Sequence, residues 1–215
     1  MFQVAYILSI VGSVSILLPF VGLIILLIRE RKSDLNSDIF YLSLYIIIIT
    51  LAQTLIFVYA LGKRANFQLF NFFYPFEFSF FIYIALQWFA KIRQFCSTIA
   101  IVAFVFSTII ISITASENKF PFILVLIEST FLIPIVFNAV IQMVRSTYDL
   151  YRLTMFKAIL FYCLGNLVMV VFIGSLLNEA NIMQSIFNIY ANYLFLRTFI
   201  YYGEKVKDGH TINLY

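Results

Sequence analysis

The chain has 215 residues, 63% of them apolar and 11% charged, with 26 Phe, 14 Tyr and a mean hydropathy of +1.01. A soluble domain is excluded, because a globular protein covers its surface with about 25% charged residues. The net charge of +4 gives no reason to invoke nucleic acid; in a chain this apolar it sets topology instead.

A helix needs roughly 20 apolar residues to cross the hydrocarbon core, and seven runs of that kind follow one another: residues 4–28, 39–61, 71–90, 95–115, 120–144, 153–177 and 182–202. The first lacks a basic start and carries its positive charges behind it, at Arg29, Arg31 and Lys32. It therefore reads as one continuous, uncleaved span and not as a signal peptide. The second holds Thr50, Gln53 and Thr54 in a polar arc. The third opens on Tyr74-Pro75-Phe76-Glu77, which sets a carboxyl group about 9 Å below the start of that run. The fifth holds Glu128, about 12 Å below its own start.

On the helix of the seventh run, starting just ahead of it, Asn181, Ser185, Asn188 and Asn192 recur at intervals of 4, 3 and 4, with Gln184 beside them. That spacing draws a polar stripe about 60° wide on one helix face. The inner halves of the spans offer few polar groups beyond Asn138, Gln142 and Asn166. Short breaks separate the runs, and residues 203–215 follow as a short tail.

Basic residues stay on the cytoplasmic side of a membrane. Arg29, Arg31, Lys32, Lys91, Arg93, Arg145, Arg152, Lys157, Arg197, Lys205 and Lys207 fall on one side of the seven runs, and only Lys63, Arg64 and Lys119 on the other. The expected architecture is an all-α integral membrane protein: a seven-transmembrane-helix bundle over 1–202, amino terminus outside, with 203–215 as a cytoplasmic tail. The expected location is the inner membrane of the cell, multi-pass. Arg197 lies near enough to the inner interface to snorkel, and Trp88, Tyr201 and Tyr202 stand where interfacial aromatics belong. Cys96 and Cys163 read as buried thiols on the reducing side.

Several chemistries lack their residues. His210 is the single His and lies in the tail, so a bis-His haem, a His-based zinc site and a His-dependent triad are excluded. No run contains Asp, there is no Gly-x-Ser-x-Gly turn, and the seventh run has no Lys for a retinal Schiff base. No enzymatic activity, metal or cofactor is expected.

Polar groups within a bilayer are costly and mark function when they converge. Glu77, Glu128, Gln53, Gln184, Asn188 and Asn192 come from four spans at similar depth, so the expectation is a ligand-binding cavity in the outer half, with the carboxyls as acceptors or proton carriers. The competing expectation for the amides is hydrogen-bonded glue between helices. On the inner face the 29–38 and 145–152 loops carry the most charge; Asp149 is placed to pair with Arg145 or Arg152, and Asp34, Ser33 or Asn36 to cap the second span.

The Tyr74–Glu77 motif together with Ile186-Phe-Asn-Ile-Tyr-Ala-Asn192 resembles an uncharacterised group of bacterial seven-helix proteins, some of which occur beside or fused to sensor histidine kinases. The resemblance implies a sensory module whose output protein is separate. The expected function is accordingly a receptor-like sensor that binds a small ligand or cation and signals to a cytoplasmic protein through the 29–38 and 145–152 loops. Alternatives are a small proton- or cation-coupled transporter or channel, and a non-catalytic subunit of a membrane complex.

Overall fold

The structure, a computed structural model, describes residues 2–29, 35–61, 67–89, 93–114, 122–145, 149–172 and 177–212. All regular structure among them is helical: α1 (Phe2–Val14), α2 (Leu17–Arg29), α3 (Ser37–Leu61), α4 (Phe67–Gln87), a 3₁₀ turn (Arg93–Phe95), α5 (Cys96–Thr114), α6 (Phe122–Arg145), α7 (Leu150–Phe172) and α8 (Leu177–Ile212). Among the described residues five stretches are long and apolar enough to cross a membrane: Ile10–Ile28, Ser37–Leu55, Arg93–Thr114, Phe122–Arg145 and Leu150–Phe172. The protein is a multi-pass, all-helical membrane protein. Helices α4 and α8 stand outside that set; α8 carries four polar residues of the site described below and α4 carries Tyr74 and Glu77.

The first run is not the continuous helix its hydropathy suggests. It breaks at Ser15 and Ile16, between α1 and α2. Pro19 is the cause: it has no N–H to give the Ser15 carbonyl four residues earlier, and its ring crowds that oxygen. The Ser15 carbonyl accepts from the Leu18 N–H at 2.9 Å instead, and the Ser15 hydroxyl donates to the Gly12 carbonyl at 2.6 Å. At the other end of the chain α8 is longer than expected, running unbroken from Leu177 through Tyr202 to Ile212.

Helices α2, α3, α4, α6, α7 and α8 close a ring in which each packs on the next, with α1 against α8 and α5 outside α4 and α6. Two glycines set the closest approaches. A side chain at Gly165 of α7 would place its Cβ 2.7 Å from the Phe187 Cβ, and one at Gly22 of α2 would meet the Leu196 Cδ1 at 2.9 Å. Both contacts are with α8, which sits between α2 and α7. Helix α5 turns a stripe of small residues inward, Cys96, Ala100, Ala103 and Ser107. Its outer face is Ile101, Val102, Ile109 and Ile113, all more than half exposed, an apolar surface suited to hydrocarbon.

The ring interior is aromatic. Tyr45 and Phe81 are buried with centroids 4.8 Å apart, Phe81 meets Tyr162 edge-on at 5.6 Å, and Phe195 lies 6.3 Å from Tyr45. Cys96 and Cys163 are both buried thiols, not joined in a disulfide.

One end of the bundle is tied by charge. The Arg152 Nε donates to Asp38 Oδ2 at 2.6 Å and its Nη1 to Asp149 Oδ2 at 3.3 Å, while Lys205 Nζ reaches Asp149 Oδ1 at 2.5 Å. The expected Asp149–Arg152 pair is thus present, and the fold adds α3 and α8 to it. Asn36 precedes α3 and its carbonyl accepts the Phe40 N–H at 2.9 Å, while its own N–H donates to Tyr202 Oη at 2.9 Å and its amide to Tyr151 Oη at 3.4 Å. Ser33 and Asp34 lie outside the described residues. Arg197 lays its guanidinium over the Tyr201 ring, 4.5 Å from the centroid, and donates to that hydroxyl.

Candidate functional site

At the end of the ring away from those ion pairs, a cavity of about 210 Å³ opens between α1, α3, α4, α7 and α8. Its walls are Gly12, Ser13 and Ile16 at the break, Gln53, Tyr74, Tyr162, Asn166, Met169, and the face of α8 bearing Gln184, Ser185, Asn188 and Asn192. Four of the six residues singled out from sequence, Gln53, Gln184, Asn188 and Asn192, therefore meet in one cavity. The 3.6-residue period brings the three on α8 together, and packing of α3 across the ring brings Gln53.

Not every polar residue of the arc and stripe contributes. Thr50 and Thr54 donate to the carbonyls of Ile46 and Thr50 on their own helix, at 2.7 and 2.8 Å. A hydroxyl bound four residues back is satisfied locally and leaves no donor for a ligand. Asn181 lends only its carbonyl, which accepts from Ser185 Oγ at 2.8 Å.

The cavity wall is partly bonded and partly open. Asn192 Nδ2 donates to Ser15 Oγ at 2.7 Å, holding the break against α8, and Gln184 Nε2 donates to Asn166 Oδ1 at 3.2 Å. Asn166, assigned from sequence to the inner half, is a wall residue of this cavity. Asn188 Oδ1 is buried with no hydrogen-bond partner among the described residues. Buried amide oxygens nearly always have one, so this acceptor stands ready for a donor. No wall residue carries a formal charge.

Glu77 and Glu128 lie outside the wall, deeper in the ring, 0% and 1% exposed. Tyr162 joins Glu77 to the cavity: its hydroxyl donates to Glu77 Oε1 at 2.8 Å and lies 2.9 Å from Oε2. Tyr45 donates to Oε2 from the other side at 3.2 Å. Glu128, on α6, has no hydrogen bond to either oxygen among the described residues. It lies within electrostatic range of Glu77, Tyr45, Tyr74, Tyr162 and Cys163. Glu77 is thus held by two tyrosine hydroxyls, one of them from a residue of the cavity wall, while buried Glu128 has no such bond among the described residues.

Asn138 and Gln142, the other inner polar residues, are exposed on α6 and bond one another at 3.4 Å. Ser15, Tyr45 and Tyr162 were not marked by sequence. Tyrosine is too common here to stand out, but the Ser15-to-Pro19 interval carries a legible signal, because a proline cannot donate to the carbonyl four residues before it. Comparison with protein-family models, with curated proteins and with solved structures finds no match for this chain.

Proposed function

We propose that this protein is a receptor-like membrane sensor of seven spans, amino terminus outside, resident in the inner membrane. It takes a small polar, uncharged ligand into the amide-lined cavity. One observation carries the reading: Gln53, Asn166, Gln184, Asn188 and Asn192 from three helices line one cavity at a broken span, and the buried Asn188 Oδ1 there has no donor among the described residues. Helices interrupted beside a polar cavity are a recurrent way to expose backbone and side-chain groups to a ligand inside a membrane.

The coupling runs through two contacts. Asn192 holds Ser15 at the break, so a ligand that competes for either group alters how α1 sits on α8. Tyr162 reports to Glu77, so a ligand that binds the phenol changes what the carboxyl accepts. A ligand shifts such an equilibrium only by its difference in affinity for the two arrangements. Helices α3, α7 and α8 carry the change to the end tied by Asp38, Arg152, Asp149 and Lys205, where the 29–38 and 145–152 loops would meet a separate signalling protein. The resemblance of Tyr74–Glu77 and Ile186–Asn192 to kinase-associated seven-helix proteins agrees with that direction of output.

A second reading is supported by a specific feature. A second cavity of about 400 Å³ lies at the charged end, and along α4 Glu77 stands between Tyr74 of the first cavity and Ile84 of the second. That is the arrangement of a proton or cation path. Against it stands the aromatic layer of Tyr45, Phe81 and Tyr162 together with Ile159, all but Tyr162 buried at 1% exposure or less.

The test is to express E77Q, E128Q and N188L and to measure transcription of the genes neighbouring its own and cation-dependent uptake. Sensing is expected to lose the transcriptional response with uptake unaltered. Loss of uptake alone identifies the transport reading, and a full response in all three variants removes both.

A further inference from the structure

We propose that the second cavity, at the charged end, is a binding site for a phosphate group carried by an anionic phospholipid. This cavity of about 400 Å³ is separate from the amide-lined one, and its walls divide by chemistry. Arg93, Arg152 and Asp38 supply charge; Trp88, Met155 and Phe156 supply an apolar surface. Such a division fits an amphipathic occupant with an anionic head and a hydrocarbon tail.

The charges match a phosphodiester. Arg93, Arg152 and Lys205 against Asp38 and Asp149, the groups of this wall and those ion-paired to it, leave a net charge of about +1, opposite to the single negative charge of a phosphodiester. Arg152 is already oriented: Asp38 holds its Nε and Asp149 its Nη1, which leaves Nη2 without a partner among the described residues. Arg93 is exposed and has no carboxylate partner among them. Arg93 stands in the short 3₁₀ turn between α4 and α5 and Arg152 in the first turn of α7, so the two approach the cavity from different elements. Planar guanidinium groups bind phosphate oxygens in this way. Basic pockets between spans at the cytoplasmic interface are where anionic headgroups are held.

The tryptophan supplies a direct test, because Trp88 is the only one in the chain and it lines this cavity. The full-length protein in detergent micelles is titrated with phosphatidylglycerol brominated in mid-chain, and in parallel with equally brominated phosphatidylcholine, while Trp fluorescence is followed. Quenching by phosphatidylglycerol is expected at about five- to tenfold lower mole fraction. R93A and R93E should bring the two lipids together, whereas R145A, an exposed arginine outside the cavity, should keep the wild-type preference. Recovery of fluorescence on adding millimolar sn-glycerol 3-phosphate assigns recognition to the phosphate itself, free or lipid-borne; recovery with unbrominated phosphatidylglycerol alone assigns it to the lipid. Equal quenching by both lipids in the wild type, or an undiminished preference in R93E, overturns the proposal.

Discussion

Asn192 on α8 donates a hydrogen bond of 2.7 Å to the hydroxyl of Ser15 at the break between α1 and α2, across 177 residues of sequence. Both side chains are buried, 6% and 7% exposed. The Ser15 hydroxyl in turn donates to the Gly12 carbonyl, so a single oxygen joins the interrupted span to the polar face of α8.

That contact sets the first prediction. Hydrogen bonds between membrane helices average about 0.6 kcal/mol and reach about 1.7 kcal/mol. S15A and N192A should each lower stability in detergent, and the double variant should lose less than their sum by about 0.6–1.7 kcal/mol. Strict additivity in the thermodynamic cycle would show that the pair holds nothing together.

Pro19 should be the sole reason for the break. P19A restores the N–H that the Ser15 carbonyl lacks, and one additional backbone hydrogen bond is worth about 1 kcal/mol. Amide exchange over residues 15–19 is expected to slow by roughly five- to tenfold. If helix continuity is also what the proposed sensor must avoid, the same variant loses its transcriptional response while remaining folded.

The two classes of glycine contact separate on substitution. G165A forces a Cβ to within 2.7 Å of the Phe187 Cβ, and the helices must move apart, a cost of about 1–3 kcal/mol. G203A meets only the Leu26 Cδ1 at 3.5 Å, an ordinary contact, and removing a helical glycine is neutral or stabilising by up to about 1 kcal/mol. Thermal unfolding in detergent should therefore drop for the first and hold or rise for the second.

The buried carboxyls should part company in the same way. Glu77 accepts from Tyr45 and Tyr162, so E77L strands the hydroxyl of buried Tyr45 and removes a partner of half-buried Tyr162, and should cost about 1–3 kcal/mol. Glu128 has no hydrogen bond to lose, and E128L is expected to be as stable as wild type or more so, since an apolar side chain of similar size needs no partner. An equally severe loss in E128L would reveal a partner for Glu128.

The run lengths settled the membrane character, and for a plain reason: burial in hydrocarbon demands about 20 consecutive apolar residues, which is a property of the chain in one dimension. The helix faces were legible for the same reason, as the interval of 4, 3 and 4 on α8 reflects local helical geometry alone. Asp149 and Arg152, three residues apart, were equally within reach of a local rule.

What sequence could not decide is which faces meet, because that depends on each helix's rotation and on its neighbours across the ring. Thr50 and Thr54 were marked with Gln53 but satisfy themselves on α3, whereas Gln53 turns into the cavity. Asn166 reaches Gln184 only because Gly165 lets α7 close on α8. The pairing of Tyr45 and Tyr162 on Glu77, and the isolation of Glu128 beside it, belong wholly to the tertiary structure. A side chain's membrane depth is set by its place along a helix, but its hydrogen-bond partner is chosen by the helix packed against it.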